Sequence, residues 1–191
     1  MTTTFQQLVE APVRILVLQH PQESRNALSS VPILASTISN ATVKIGLSWK
    51  SLASVTGDAV NDKYEWVVLY LGRKDDQSKI PADLPYVLLN GKGQTMNVAP
   101  HITGMIILDG SWSQAKTLFF RNPWLKRLNR IVLRPSKKSL YGALRREPRK
   151  TAISTIEAAA MAIKEVTGNT EVPNRLIDAF ETFVANQPKS S

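Results

Sequence analysis

Five short stretches of this chain are apolar at every position: residues 15–18, 66–71, 86–89, 105–108 and 131–133. A strand with one wet face alternates polar and apolar residues, whereas a strand that is apolar throughout is covered on both faces, as in parallel sheets. Segments of helical period lie between these runs. One over 26–39 carries Leu28, Val31, Ile33, Leu34 and Ile38 on one face, with Pro32 requiring a first-turn position. Two capping boxes, Ser111–Gln114 and Ser154–Glu157, mark further helix starts. The second of these helices ends at Gly168, and a last one follows Val172-Pro173. Strands are also expected at 43–47 and 65–71, with a polar loop over 73–79. Strands alternating with helices predict an α/β fold, a mainly parallel sheet with flanking helices.

At 191 residues, with 43% hydrophobic content, the chain reads as a single domain over 1–191, with loose ends at about 1–10 and 187–191. No apolar run approaches the roughly 20 residues of a membrane helix, and no basic-then-apolar leader opens the sequence. A cytoplasmic protein without a membrane partner is expected. Cysteine is absent, which excludes disulfides, zinc ribbons, iron–sulfur clusters and cysteine nucleophiles. With His20 and His101 as the only imidazoles, no metal is expected.

The net charge is +9, and its placement says more than its size. Between Lys116 and Lys150 stand twelve basic residues and one acid, Glu147, so this stretch carries +11 and the remainder −2. A solvated surface usually mixes both signs; a one-sided stretch favours a polyanion, nucleic acid first among them. An anionic membrane fits less well, because Pro123, Pro135 and Pro148 prevent one continuous amphipathic helix. The candidate RNA contacts are Lys126, Arg127, Arg130, Lys137, Lys138, Arg145, Arg146, Arg149 and Lys150.

Asp109 closes a buried strand and directly precedes a capped helix, where ligands of open α/β sheets collect. The helix starts at Ser111 and Ser154 offer N–H groups and a positive dipole to an anionic ligand group. Simple capping remains an alternative at Asp109 and at Ser154. His20 and Glu23 follow the first strand, where a hydrogen-bonded loop role is the plainer reading. Gly91-Lys92-Gly93 reads as a tight turn rather than a phosphate loop.

Together these pieces resemble the DTW-domain family of tRNA-uridine aminocarboxypropyltransferases. Leu108-Asp109-Gly110-Ser111-Trp112 is similar to its D-x-T/S-W signature, with serine in place of the usual threonine. His20-Pro21-Gln22-Glu23 with Arg25-Asn26 resembles an early H-P-x-E…N block. Ser139-Leu140-Tyr141 with Arg145, Arg146 and Pro148 resembles an S-x-Y…R…P block, and Ser154-Thr155-Ile156-Glu157-Ala158 an S-T-x-E-A helix start. The cysteine-rich N-terminal segment of several members is missing. The resemblance implies a SPOUT-like fold with a trefoil knot, and S-adenosylmethionine as donor of a 3-amino-3-carboxypropyl group to N3 of a tRNA uridine, usually at position 47. It implies Asp109 as the catalytic residue, and Leu108, Ser111, Trp112, Leu133, Tyr141, Ser154 and Thr155 as cofactor-binding. His20, Glu23 and Glu157 are further motif residues, and a target base would stack on an aromatic such as Trp124. A SPOUT-type RNA methyltransferase, an rRNA aminocarboxypropyltransferase and a non-catalytic RNA-binding module remain alternatives.

The charge arithmetic makes its own prediction. Replacing Lys137, Lys138, Arg145, Arg146, Arg149 and Lys150 by alanine reduces the salt dependence of RNA binding by roughly two to three in log–log slope, if about half of them meet phosphate. Titrations at several salt concentrations check this, and an unchanged slope would place the RNA elsewhere.

Overall fold

The computed structural model describes residues 8–57, 65–70, 74–97, 99–135, 138–142 and 153–188. Six strands form one sheet: β1 (Arg14–Gln19), β2 (Ala41–Ile45), β3 (Trp66–Leu69), β4 (Tyr86–Leu89), β5 (Gly104–Asp109) and β6 (Asn129–Leu133). Their order across the sheet is β2-β1-β5-β3-β6-β4. All neighbours are parallel except β4, which runs antiparallel to β6 at one edge. The mainly parallel α/β architecture expected from the solid apolar runs is what the chain forms.

Among the described residues six helices accompany the sheet: α1 (Val31–Thr37), α2 (Leu52–Thr56), α3 (Lys74–Gln77), α4 (Trp112–Arg121), α5 (Thr155–Thr167) and α6 (Glu171–Ala185). Alternate residues of each strand point to opposite layers. Ile15 and Val17 of β1, with Met105 and Ile107 of β5, pack under α1, α5 and α6. Leu16 and Leu18, with Ile106 and Leu108, pack under α2, α4 and a 3₁₀ turn at Pro123–Arg127. A third cluster of Ile80, Val87, Leu89 and Val132 closes the antiparallel edge.

Three local differences from expectation have physical causes. The helix expected over 26–39 is confined to α1, because Pro32 has to lie in its first turn and Asn26 makes a competing turn. The Asn26 side-chain oxygen accepts from Leu28 N at 3.0 Å, and its amide donates to Glu23 Oε2 at 3.1 Å. The loop expected over 73–79 contains the single turn α3. Helix α2 was not anticipated; at five residues it is too short for a periodic signal and is held by a Ser51–Ser54 capping box. Of the expected loose ends, 1–7 and 189–191 lie outside the described residues. Val9 is tied down, its N–H donating to Thr37 O at 2.9 Å and its carbonyl accepting from Ser39 N at 2.8 Å.

Gly104 shows how tightly the layers meet. It pairs with Trp66 across β3 and β5, and a Cβ at this position would stand 2.4 Å from the indole ring. Gly104→Ala therefore destabilises the fold by about 2 kcal/mol or more, since a packed core does not absorb an extra carbon without displacement. Denaturant titration measures this, and trimming Trp66 to leucine in the same chain returns part of the loss.

Candidate functional site

Strands β1 and β5 end side by side, with Gln19 in register with Asp109. Odd-numbered residues of both strands face α1, α5 and α6, so the two polar side chains stand on the same face of the sheet. Gln19 Nε2 donates to Asp109 Oδ2 at 2.9 Å and approaches Ser29 Oγ at 3.2 Å. From the helix layer that this face meets, Thr155 Oγ1 at the first position of α5 donates to Asp109 Oδ1 at 2.5 Å. Asp109 is only 5% exposed. Both carboxylate oxygens are thus held from different elements, which fixes the side chain's orientation at the carboxyl edge of the central strand. Asp109 does not cap α4; Ser111 does, accepting from Gln114 N at 3.4 Å while its own N–H donates to Gln114 Oε1 at 2.6 Å.

The turn between Asp109 and α4 is made possible by Gly110, at φ +155°, where a Cβ would stand 2.7 Å from the Gln114 Cβ. Gln114 Nε2 also donates to Gln22 Oε1 at 2.9 Å, joining the loop after β1 to the start of α4. His20 continues this edge through its backbone, its N–H donating to Asp109 O at 3.0 Å, while its Nδ1 accepts from Gln22 N at 3.2 Å. Glu23 is buried within the 3₁₀ turn Glu23–Arg25.

At the start of α5, Glu157 supplies from within the chain the carboxylate that a ligand was expected to bring. Its Oε2 accepts from Ser154 N at 2.8 Å, Ser154 Oγ at 2.6 Å and Ser139 Oγ at 2.8 Å, and its Oε1 from Leu140 N at 2.8 Å. Ile156 N donates to Ser30 Oγ at 3.3 Å, and Glu157 N to Ser154 Oγ at 3.2 Å. The plainer capping reading of this helix start is what the geometry realises. Glu157 also anchors the segment that carries Tyr141, whose ring meets Phe180 edge-on at 4.9 Å and whose hydroxyl donates to Leu28 O. The Tyr141 side chain braces the fold.

The structure gathers Asp109, Ser154, Thr155 and Glu157 on the α5 side of the edge. Leu108 and Trp112 lie on the α4 side, in a small cleft completed by Leu69, Tyr70, Ala115 and Lys116. Leu133 is buried at the end of β6. Sequence reasoning missed Gln19, Ser29 and Ser30. Gln19 had a readable signal, a polar residue ending an apolar strand as Asp109 does.

Of the candidate RNA contacts, Arg127 and Lys138 are exposed and Lys126 is half-buried. Lys137, Arg145, Arg146, Arg149 and Lys150 lie outside the described residues. Arg130 requires correction. It is 8% exposed, its guanidinium donates to the carbonyls of Asn90 and Gly91 at 3.2 and 3.1 Å, and it lies 5.9 Å from the Phe119 ring. β6 is covered on both faces, so the Arg130 side chain is buried there and is spent on holding the turn after β4 rather than presented to solvent. Trp124 is likewise half-buried, with Nε1 donating to Trp49 O at 3.0 Å. Among the described residues, no group of three or more metal-ligating side chains occurs and no helix is long and apolar enough to cross a membrane.

A family model described as the DTW domain matches residues 1–188. Curated relatives named tRNA-uridine aminocarboxypropyltransferase 2 are similar to the chain. The one from Macaca fascicularis is 28% identical over 91% of this chain and 54% of its own length. The one from Mus musculus is 26% identical over 94% and 56%. The one from Drosophila melanogaster is 25% identical over 91% and 64%. The chain thus spans little more than half the length of the mammalian relatives it matches. No solved structure matches it significantly.

The Glu157 network predicts a stability effect separate from chemistry. Glu157→Ala leaves four donors without their acceptor and lowers the unfolding free energy by about 3 kcal/mol, whereas Glu157→Gln, which keeps one acceptor oxygen, costs less. Denaturant unfolding of the two variants gives the ranking.

Proposed function

The chain belongs to the DTW-domain family, and from that premise we propose that it is a tRNA-uridine aminocarboxypropyltransferase working in the cytoplasm. Its substrate is a tRNA uridine, at position 47 by family resemblance, and its donor is S-adenosylmethionine. The observation that carries this reading is the buried Asp109 carboxylate, held on both oxygens at the carboxyl edge of β5, the place where open parallel sheets bind ligands.

The donor offers an electrophilic methylene beside a sulfonium, so that the N3–C bond forms as the C–S bond breaks and methylthioadenosine leaves. The chain's own residues have three tasks: to hold the donor, to direct N3 in line with the methylene and to receive or polarise the N3 proton. Asp109 is suited either to orient the donor's amino group or to take that proton, because Gln19 and Thr155 remove its rotational freedom. The small cleft beside Leu108 and Trp112, with Tyr70 as a second aromatic wall, offers the apolar surface on which a flat group such as an adenine ring stacks, and it would have to widen to admit one. The exposed first turn of α4, after Ser111, suits the donor's carboxylate. Ser154 and Thr155 serve the site by placing Asp109. Arg127, Lys126 and Lys138 fit RNA phosphates, as do Lys137, Arg145, Arg146, Arg149 and Lys150 from the sequence. A SPOUT-like knot belongs to the same proposal by family resemblance.

Asp109→Asn lowers turnover on tRNA by at least a hundredfold while leaving the melting temperature near that of the parent. A weaker donor affinity in the variant marks an orienting role, and a lower kcat at saturating donor marks proton transfer. Nucleoside mass spectrometry of the product identifies the reaction: an aminocarboxypropyl adduct on tRNA uridine supports the proposal. A methyl adduct, or modification of rRNA alone, replaces it.

A further inference from the structure

Phe120 is a large apolar side chain with 48% of its surface in water, near the end of α4. Its neighbour Phe119 is buried and stacked on Tyr70 with ring centroids 4.5 Å apart. Phe119 meets the Phe120 ring edge-on at 5.8 Å and so steadies it from the core side. Two ammonium groups lie over the Phe120 ring, Lys126 Nζ at 4.6 Å and Lys116 Nζ at 6.0 Å from its centroid. The surrounding sequence from Ser111 to Leu128 holds Lys116, Arg121, Lys126 and Arg127 and no acid. The turn after β4 closes against the same corner, since a Cβ on Gly91 would come within 2.7 Å of Arg127 O, and it brings exposed Lys92 alongside.

We propose that Phe120, Lys116 and Lys126 form a platform on which an unpaired base of the tRNA substrate stacks while the lysines engage the adjoining phosphates. The proposal rests on the tRNA reading above and adds a second RNA contact, away from Asp109. Charge complementarity selects this occupant. An apolar protein partner would bury the ring and strand the cations around it, and a second copy of this face would set like charges together. Single-stranded RNA brings a π-face for the ring and an anion for each ammonium. The attraction of an exposed ammonium for a ring is weak, so a base displaces one lysine from the ring at little cost and that lysine turns to phosphate. Phe120 lies nine residues beyond Ser111, about 14 Å along the helix at 1.5 Å per residue. A strand of RNA entering the site thus passes the platform at a fixed distance from the reacting base.

The test uses the full chain and an unmodified tRNA transcript, followed by anisotropy and by product mass. Phe120→Ala is expected to weaken tRNA binding about tenfold, with the salt slope unchanged and kcat at saturating tRNA within about twofold. Phe120→Trp keeps or improves affinity. Phe120→Leu, which retains apolar bulk without a π-face, loses affinity as alanine does. Lys116→Ala with Lys126→Ala lowers the salt slope by about one to two. Wild-type affinity in the leucine variant overturns the platform, as does a Phe120→Ala effect confined to self-association in sedimentation. If the parent protein modifies tRNA and the Phe120 variants match it, only the platform falls. If the parent neither binds nor modifies tRNA, the functional reading falls and takes the platform with it.

Discussion

A carboxylate taken out of water has to recover its hydrogen bonds inside the protein, and Glu157 recovers four. Its donors come from the start of its own helix and from the segment carrying Ser139 and Leu140. One acidic side chain therefore completes the amino end of α5, supports the placement of Thr155 against Asp109, and pins the chain beyond β6 so that Tyr141 reaches Leu28 and Phe180. Charged acceptors of this kind are stronger than neutral ones and leave costly orphans when removed. The orientation of Asp109 at the sheet edge depends on this buried group two residues beyond Thr155.

The sheet was readable because burial on both faces leaves a plain mark, runs such as 105–108 with no polar residue. The starts of α4 and α5 were readable because Ser111–Gln114 and Ser154–Glu157 encode reciprocal hydrogen bonds at a set spacing, and both boxes form. Short elements were not: α2 and α3 span five and four residues, about one turn each, too few for a 3.6-residue pattern to repeat. Strand order was not readable either, because apolar runs carry no mark of which neighbour they pair with.

The candidate site was legible in part. Asp109 stood out through its place between a strand and a cap, whereas its partner Gln19 is separated from it by 90 residues and is joined to it only by register. Arg130 misled because charge alone does not reveal that a residue sits in a strand covered on both faces; there the carbonyls of Asn90 and Gly91 take up its guanidinium. The net basic stretch accordingly divides into cations that hold the fold and cations that face solvent, Arg134 joining Arg130 in the first group through the carbonyls of Ile80 and Pro81.

The position of β5 between β1 and β3 bears on how the molecule is made. Both of those strands precede it in the chain, and each pairs with it along a full parallel ladder. Until residues 104–109 leave the ribosome, the middle of the sheet is a gap flanked by two unpaired apolar edges, the kind of surface that invites wrong partners. Non-local parallel pairing is slow, because the loop entropy is spent before the contacts that reward it are formed. Assembly of the Gln19–Asp109 pair coincides with closure of that gap, while a second gap, between β3 and β4, stays open until β6 follows; a nascent chain therefore presents this corner of the site before its sheet is complete.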